Sequence, residues 1–166
     1  MEKKLSDMSL EELWKLFPIH LTEHQTDWRE WYAEEENLLK NRVSDIERIS
    51  HIGSTAISSI CAKPIIDILA EISREHKLSD YKEAIMNSGY ICMSETSDRL
   101  SFNKGYTENG FAERVYHLHL RYIGDNDEVY FRDYLIEHTD VALEYERMKL
   151  ELWKKYEFNR DGYTNS

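Results

Sequence analysis

The sequence predicts an α+β domain in which a mixed β-sheet of four to five strands is flanked by N-terminal and C-terminal helices. Three observations predict this fold. The chain has an amphipathic helical pattern near its N-terminus, an isoleucine-rich run around position 67 bounded by turn residues, and helical periodicity over residues 127–156. The length of 166 residues suits one domain, which we take as residues 1–166.

The N-terminal part is predicted to hold two helices. Ser9-Leu-Glu-Glu12 resembles a capping box, so a short helix is expected to run to Phe17 and to stop at Pro18. A longer helix is expected from Thr22, and the triplet at 34–36 is assigned to its solvated face. Its core stripe recurs at helical spacing and contains Trp28, Trp31, Tyr32, Glu35, Leu38 and Leu39.

The middle of the chain alternates extended and helical segments. Strands are predicted at 46–52, 64–72 and 90–94, with a helical turn at 55–62 and a helix at 78–88 that Gly89 ends. Two alternating runs, 100–104 and 114–122, flank a segment whose turn residues predict a hairpin or a longer loop at 105–110. Residues 127–156 predict helices with a break near His138, where Thr139 or Asp140 caps the second one.

Composition argues against several classes of function. The net charge of −11 argues against nonspecific binding to nucleic acid or to an anionic membrane. The N-terminus lacks the apolar core of a signal peptide, and no stretch reaches membrane-spanning length, so no membrane partner is expected. Cys61 and Cys92 give neither a disulfide framework nor paired zinc-ligand spacing, which predicts a reduced, cytoplasmic protein. The sequence does not indicate an oligomeric state.

The strongest functional signal is a Gly-Ser loop followed by an acid within an apolar strand. Gly53 permits close backbone approach to a ligand, and the amides that follow Ser54 can face an anion. Asp67 is too polar for a buried strand unless a metal or a hydrogen-bond network compensates it. The loop and the acid together suggest nucleotide chemistry, and a turn beside a buried, hydrogen-bonded acid is the structural alternative.

Two further groups of residues are candidates. In a strand, His117 and His119 face the same side, and their side chains start roughly 6–7 Å apart, which allows both to bind one metal or one phosphate. The alternative is a polar strand face with two unrelated imidazoles. Arg132, early in a helix, can clamp a phosphate bidentately, or it can form a surface or intradomain ion pair. Tyr106 and Tyr116 are candidates for stacking on a base.

Four motifs resemble, in order and spacing, those of the GrpB-like proteins: His51-Ile-Gly-Ser-Thr-Ala, Ala62-Lys-Pro-Ile-Ile-Asp-Ile, His117-Leu-His119 and Phe131-Arg-Asp-Tyr-Leu135. The resemblance extends from Trp28 to Thr164. That family is similar to a divergent branch of the nucleotidyltransferase superfold of DNA polymerase β. In that superfold a Gly-Ser turn holds a triphosphate, and an Asp-x-Asp strand with a third carboxylate holds divalent metals. The resemblance therefore implies that Gly53 and Ser54 bind phosphate and that Asp67 is the first metal carboxylate.

The sequence departs from that pattern at the second and third carboxylates. Leu69 occupies the second acidic position. Glu71 lies roughly 13 Å from Asp67 along the strand, too far for one metal to join them. The strand where the third acid is expected carries His117 and His119, and histidine ligands suit Mn²⁺ or Zn²⁺ better than Mg²⁺.

Three functions follow from these observations and stay open. The first is a nucleotidyl- or phosphoryl-transfer enzyme that binds a nucleotide or phosphorylated ligand and a divalent metal, Mg²⁺ or Mn²⁺. The second is a module that binds a nucleotide without turnover, as Leu69 suggests. The third is a metal-dependent hydrolase, with Zn²⁺ as a further metal, built on Asp67, His117 and His119.

The roles expected in the enzyme are phosphate binding by Gly53, Ser54, Thr55, Lys63 and Arg132, metal binding by Asp67, His117 and His119, and catalysis by Asp67 and His51. The last five residues, 162–166, resemble the start of a further helix, so the sequence leaves open a domain truncated at its C-terminus.

Overall fold

The computed structural model describes residue 9 and residues 21–107 and 110–156, and in these residues the α+β prediction is confirmed. One mixed sheet contains the strands β1 (Ile46–Ile52), β2 (Ile65–Ile72), β3 (Ile91–Glu95), β4 (Arg99–Thr107) and β5 (Gly110–Tyr122). The α-helices of the described residues are α1 (Asp27–Arg42), α2 (Lys82–Met86), α3 (Asp127–Glu137) and α4 (Thr139–Tyr156). None of these helices combines the length and the apolar character needed to cross a membrane.

The sheet has the strand order β1-β2-β5-β4-β3. β2 and β5 pair in parallel, and the other neighbouring strands are antiparallel. β2 therefore has a partner strand on both edges. Its side chains are buried on both faces except at Asp67, which is only partly buried. This position explains why the strand reads as a nearly continuous apolar run with one acid in it.

The two faces of β2 pack against different helices. The even-numbered side chains of residues 66–72 join the main core with Trp28 of α1. On the opposite face, Leu69 packs with Val129 of α3. Successive side chains of a strand alternate between faces, so Asp67 shares the face of Leu69. The acid is therefore on the side of the sheet that carries the C-terminal helices.

Helix α1 begins at Asp27, and the prediction of a helix from Thr22 is wrong. The backbone of Thr22 exchanges two hydrogen bonds of 2.9 Å with Ala62 and forms an isolated β-bridge there. Residues 21–26 therefore lie beside the segment before β2 instead of continuing the helix. Two acidic residues, Asp27 and Glu30, stand in the first turn, where they complement the positive end of the helix dipole.

The apolar stripe of α1 is confirmed, with one acid inside it. Trp28 and Leu39 are fully buried. Glu35 belongs to this buried stripe and not to the solvated face, because it is only 4% exposed. Its carboxylate accepts hydrogen bonds of 2.7 and 3.0 Å from the Lys104 ammonium group of β4. The ion pair compensates the burial of the carboxylate and joins α1 to the sheet.

Other elements differ from the prediction in extent. The turn expected at 55–62 is a short 3-10 helix at Ser54–Ala56, and the helix expected at 78–88 is a 3-10 helix at Leu78–Tyr81 followed by α2. Strands β4 and β5 continue through most of the segment expected to be a loop at 105–110. The strand register is irregular where Gly105 stands, so a bulge accommodates the glycine within the hairpin.

The helix break near His138 is confirmed, because α3 ends at Glu137 and α4 begins at Thr139. The short helix expected from Ser9 to Phe17 lies outside the described residues apart from Ser9 itself. The further helix expected at 162–166 also lies outside them.

Candidate functional site

The Gly-Ser loop follows β1 and passes directly over Asp67. Gly53 has φ +75°, and a Cβ atom built on it would lie 2.5 Å from Asp67 Oδ2. Glycine is therefore required twice, by the backbone angle and by the close approach. The Ala56 and Ile57 amides bond to the Gly53 and Ser54 carbonyls at 3.1 and 3.0 Å and close the turn.

His51 supports this loop from behind. Thr55, which is buried, donates its hydroxyl proton to the Ile65 carbonyl at 3.2 Å, so the hydroxyl oxygen accepts from His51 Nε2 at 2.9 Å. The His51 ring also stacks on Tyr32, with centroids 4.8 Å apart. Burial, joined by the charge of Arg132, lowers the pKa of His51 to about 4 against the opposing effect of Asp67.

A neutral imidazole held in this way orients Thr55. The predicted role of His51 as a catalytic base therefore has no geometric support, because its Nε2 is engaged by the loop and its low pKa makes it a weak base.

The two histidines of β5 lie on the same side of the strand, as their alternation predicts, and both approach the acid of β2. Asp67 is the register partner of His117 in the parallel pair. Asp67 Oδ1 lies 3.6 Å from His117 Nδ1 and 3.6 Å from His119 Nε2. Burial raises the pKa of Asp67, but the contacts with His119 and His117 and the charge of Lys63 outweigh it, so the pKa lies below its usual range.

Tyr106 of β4 extends this group by one residue. Its hydroxyl lies 2.7 Å from His117 Nε2, and the two rings stack with centroids 5.7 Å apart. In the neutral tautomer of His117 that carries its proton on Nδ1, facing the Asp67 carboxylate, Nε2 accepts the Tyr106 hydroxyl proton. Tyr106 thereby fixes the orientation of His117. Tyr116, the other tyrosine considered for base stacking, is buried in the main core and is 4% exposed.

Asp67, His117 and His119 do not form a preformed three-ligand metal centre. Their separations of 3.6 Å are near the roughly 3.5 Å expected of two ligands sharing a metal at about 2.1 Å. However, no group of three or more His, Cys, Asp or Glu side chains in the described residues has the arrangement of a metal site. The assignment of Asp67, His117 and His119 as ligands of one metal therefore stays a prediction; Tyr106 contacts His117 at Nε2, whereas Nδ1 faces Asp67.

These residues fit a cation of another kind. Mg²⁺ and Mn²⁺ commonly keep several waters and bind through one or two carboxylates together with substrate phosphates. Asp67 is suited to be one such ligand, because its carboxylate is ionised and its side chain is 29% exposed. Among the described residues no preformed three-ligand site is found for the Zn²⁺ or Mn²⁺ of the hydrolase alternative.

A buried lysine from the C-terminal helix completes the site. Lys149 of α4 is 7% exposed, and its Nζ donates to Ser54 Oγ at 2.5 Å. The ammonium group also lies 5.3 Å from the centroid of the Tyr145 ring. Burial and the charge of Lys63 lower the pKa of Lys149 to about 8, although Asp67 raises it. The group is thus a cation that the protein holds at the cost of desolvation.

The loop, the strands and α4 together enclose a small polar cavity, which we call the phosphate cavity. Its volume is about 120 Å³, and its polar lining consists of Ser54, Thr55, Lys63, Asp67, His117 and Lys149. Two lysines, two hydroxyl groups and one imidazole face a single carboxylate there. Such a set is suited to an anion with several oxygens.

Arg132 is not brought into this cavity. It lies on α3, donates from Nη1 to the His51 carbonyl at 2.8 Å, and donates from Nε and Nη2 to Asp133 Oδ1 at 3.0 and 2.8 Å. The predicted phosphate clamp is corrected accordingly, because the intradomain alternative describes these contacts. Arg132 joins α3 to the end of β1 immediately before the Gly-Ser loop.

Leu69 and Glu71, the two residues of β2 considered for the second carboxylate, both have structural roles in the described residues. Leu69 is fully buried against Ile52 and Val129. Glu71 is also fully buried, and its Oε1 accepts from the Gly124 amide at 3.1 Å and from the Asn126 side chain at 3.0 Å. Glu71 therefore anchors the connection between β5 and α3.

Sequence reasoning missed Lys149 and the contact of Tyr106 with His117. A signal for Lys149 existed, since Ala142, Tyr145 and Lys149 recur at i, i+3 and i+7 on one face of α4. Ala142 is fully buried and Tyr145 packs beside it. A lysine within such an apolar stripe indicates a cation directed into the protein.

Comparisons with known proteins agree with this architecture. The family model described as GrpB protein matches residues 18–166. The chain is 32% identical over 153 residues to the glutamate-rich protein GrpB of Alkalihalophilus pseudofirmus, covering 89% of this chain and 88% of that protein. It is 32% identical over 138 residues to the UPF0157 protein YqkA of Bacillus subtilis, covering 81% of this chain but only 39% of YqkA.

Two solved structures are similar in fold. The conserved protein GrpB from Enterococcus faecalis superposes with a TM-score of 0.74 at 28% identity, covering 87% of this chain and 88% of that one. The Cid1 poly(U) polymerase with Mg²⁺ and 3′-dATP superposes with a TM-score of 0.54 at 12% identity, covering 89% of this chain and 46% of Cid1. The second likeness shows a nucleotidyltransferase-like fold.

Proposed function

The chain belongs to the GrpB family, and we propose that it binds a nucleoside triphosphate through its phosphates in the phosphate cavity. The observation that carries the proposal is Lys149, a buried ammonium group directed at Ser54 beside Lys63. A buried cation is costly unless an anion compensates it. A polyphosphate supplies that anion and can accept a hydrogen bond from the Ser54 hydroxyl.

The residues of the cavity divide the work of binding. Lys63 and Lys149 neutralise phosphate charge, and Ser54 presents a hydroxyl on a loop that Gly53 allows to pass close to Asp67. Asp67 would serve as a protein ligand for a divalent cation that arrives with the nucleotide, and such a cation would offset charge on the phosphates and polarise a phosphoryl oxygen.

Nucleotidyl transfer is the second candidate function. The fold likeness to Cid1 and the ionised Asp67 favour it. Leu69 at the second acidic position favours binding without turnover, because a second carboxylate normally shares the catalytic metals in this superfold. Phosphorus NMR of a bound nucleotide with Mn²⁺-free Mg²⁺ distinguishes nucleotidyl transfer from binding without turnover. Formation of pyrophosphate that Asp67→Asn abolishes supports transfer. An unchanged nucleotide supports binding alone.

Isothermal titration calorimetry tests the binding proposal. We expect ATP, GTP, CTP or UTP with Mg²⁺ or Mn²⁺ to bind the wild type, and Lys149→Met to weaken binding at least tenfold, since it removes the buried charge. Lys40→Met is the matched control, because Lys40 is 55% exposed and pairs with Glu36 on α1. The proposal is wrong if none of the four triphosphates releases heat at millimolar concentration.

A further inference from the structure

A second, larger cavity adjoins the phosphate cavity. Its volume is about 260 Å³, and its walls are mainly apolar. Pro64, Ile65, Phe111 and Val115 line it, with Lys63 and Glu113 at its polar positions. We call it the apolar cavity. Neither the family match nor the structural neighbours assign a role to it.

The two cavities lie next to each other on one face of the sheet. Ile65 and Val115 are register partners, and two residues further along the same strands Asp67 and His117 are register partners. Side chains two residues apart in a strand lie on the same face, roughly 6–7 Å from each other. Lys63 and Ile65 border both cavities. A ligand whose phosphates occupy one cavity is thus adjacent to the other.

We propose that the apolar cavity holds the base of the nucleotide, and this inference rests on the proposed function of the phosphate cavity. The pocket residues have the required chemistry: Pro64, Ile65 and Val115 provide apolar surface, and Phe111 provides an aromatic ring that is 38% exposed. Stacking on an aromatic ring stabilises any base. Together the cavities also reach the lower end of the size of ligand pockets, about 300 Å³.

Glu113 gives the apolar cavity a preference among bases. Glu113 is one of the residues that line the cavity, and a carboxylate group accepts hydrogen bonds from amino groups. Glutamate accepts a hydrogen bond from the exocyclic amino group of cytosine. Uracil carries a carbonyl oxygen at the same ring position, which the carboxylate repels. The site therefore selects CTP over UTP.

Calorimetric titrations with sodium tripolyphosphate, CTP and UTP, each with Mg²⁺, test the inference. Tripolyphosphate reports the phosphate cavity alone, so it separates the two proposals. We expect CTP to bind the wild type about tenfold more tightly than tripolyphosphate and several-fold more tightly than UTP. If tripolyphosphate binds and CTP binds no more tightly, the apolar cavity does not hold the base, and the proposed function stands. If none of the three ligands binds, both the inference and the proposed function are wrong.

Variants locate the effect. Phe111→Ala is expected to reduce CTP affinity about tenfold and to leave tripolyphosphate affinity unchanged. Phe111→Leu, which keeps apolar volume, covers the case in which the alanine variant unfolds. Glu113→Gln is expected to make CTP and UTP bind equally. The control is Tyr130→Ala, an exposed aromatic of α3 that is 67% accessible. Loss of CTP affinity in Tyr130→Ala, or none in either Phe111 variant, overturns the inference.

Discussion

At the scale of single residues, Gly53 makes the site possible. A side chain there meets Asp67 Oδ2 at 2.5 Å and also strains a backbone with φ +75°. Gly124 is a matched control, because its φ is +96° but a Cβ would have no neighbour within 4 Å. We expect Gly124→Ala to lower the free energy of unfolding by about 1–2 kcal/mol and Gly53→Ala by about 2–4 kcal/mol. Urea denaturation measures both.

A cross-check isolates the contact between Gly53 and Asp67. In an Asp67→Ala background the carboxylate is absent, so the excess cost of Gly53→Ala over Gly124→Ala is expected to shrink. An excess that persists unchanged contradicts the steric explanation and leaves only the backbone angle.

Lys149 is expected to lower the free energy of unfolding of the free protein and to increase its affinity for phosphate. Its pKa falls from 10.5 to about 8 in the folded chain, mainly because of burial, which corresponds to a destabilisation of about 3 kcal/mol at pH 7. The cost is fully present below pH 8 and fades as the pH rises toward 10.5. Lys149→Met is therefore expected to raise the free energy of unfolding by about 2 kcal/mol at pH 7, after loss of the bond to Ser54. Urea denaturation at pH 7 and pH 10 checks this, and an equal effect at both pH values contradicts it.

The same group predicts how ligand affinity depends on pH. Lys63 lowers the pKa of Lys149, whereas Asp67, Cys61 and Glu146 raise it. Bound phosphate favours the charged ammonium, so binding takes up a proton once the pH exceeds about 8. Affinity for tripolyphosphate is expected to fall about tenfold from pH 7.5 to 9.5. Lys149→Arg stays charged and should show little change; a flat wild-type profile contradicts the prediction.

At the scale of elements, β2 carries two acids with different duties. Glu71 is fully buried and receives the Gly124 amide and the Asn126 side chain, so it fixes the connection into α3. Glu71→Ala removes that acceptor and is expected to cost about 2–4 kcal/mol in unfolding free energy. In the fraction that folds, affinity for Mn²⁺ and CTP should be unchanged, because Glu71 does not line the phosphate cavity. Calorimetry measures that affinity, and its loss would make Glu71 a ligand.

The elements differ in how far the sequence predicts them. Alternation along β5 is a local property, so it correctly places His117 and His119 on one face, whereas the register between β2 and β5 brings Asp67 to them. The contact of Lys149 with Ser54 joins positions 95 residues apart and depends on how α4 packs against the loop. No local pattern specifies that packing. The helix start fails for the same reason, because Thr22 is held by a bridge to Ala62, forty residues away.

The role of His51 also depends on tertiary packing that the sequence does not specify. A histidine before a Gly-Ser loop reads as a base, but its partner decides what it does. In the folded chain Thr55 and Tyr32 enclose the His51 ring, and burial lowers its pKa to about 4. Only the packing of α1 against β1 supplies Tyr32. The sequence places His51 next to the Gly-Ser loop, but it does not predict that His51 orients Thr55.

At the scale of the whole molecule, charge separates nucleotide binding from nucleic-acid binding. The chain carries a net charge of −11, and its site cations Lys63 and Lys149 lie in a cavity of about 120 Å³ and not along an extended groove. An RNA strand needs a basic track of many phosphate contacts, whose counterion release gives a steep salt dependence. A single triphosphate needs only the cavity. The negative net charge therefore disfavours binding of a long RNA strand, whereas the two cavity lysines favour binding of a single triphosphate.

We therefore expect a fluorescein-labelled fifteen-residue oligo(U) to bind with a Kd weaker than about 100 μM at 150 mM salt, in contrast to the mononucleotide. Fluorescence anisotropy measures the oligonucleotide, and calorimetry at the same salt measures CTP. Lowering the salt to 50 mM should leave oligonucleotide affinity weak, because the acidic surface repels the strand more strongly as screening decreases. Micromolar binding that weakens steeply with added salt contradicts this. It would mean that an RNA-binding track exists on this chain despite its net charge.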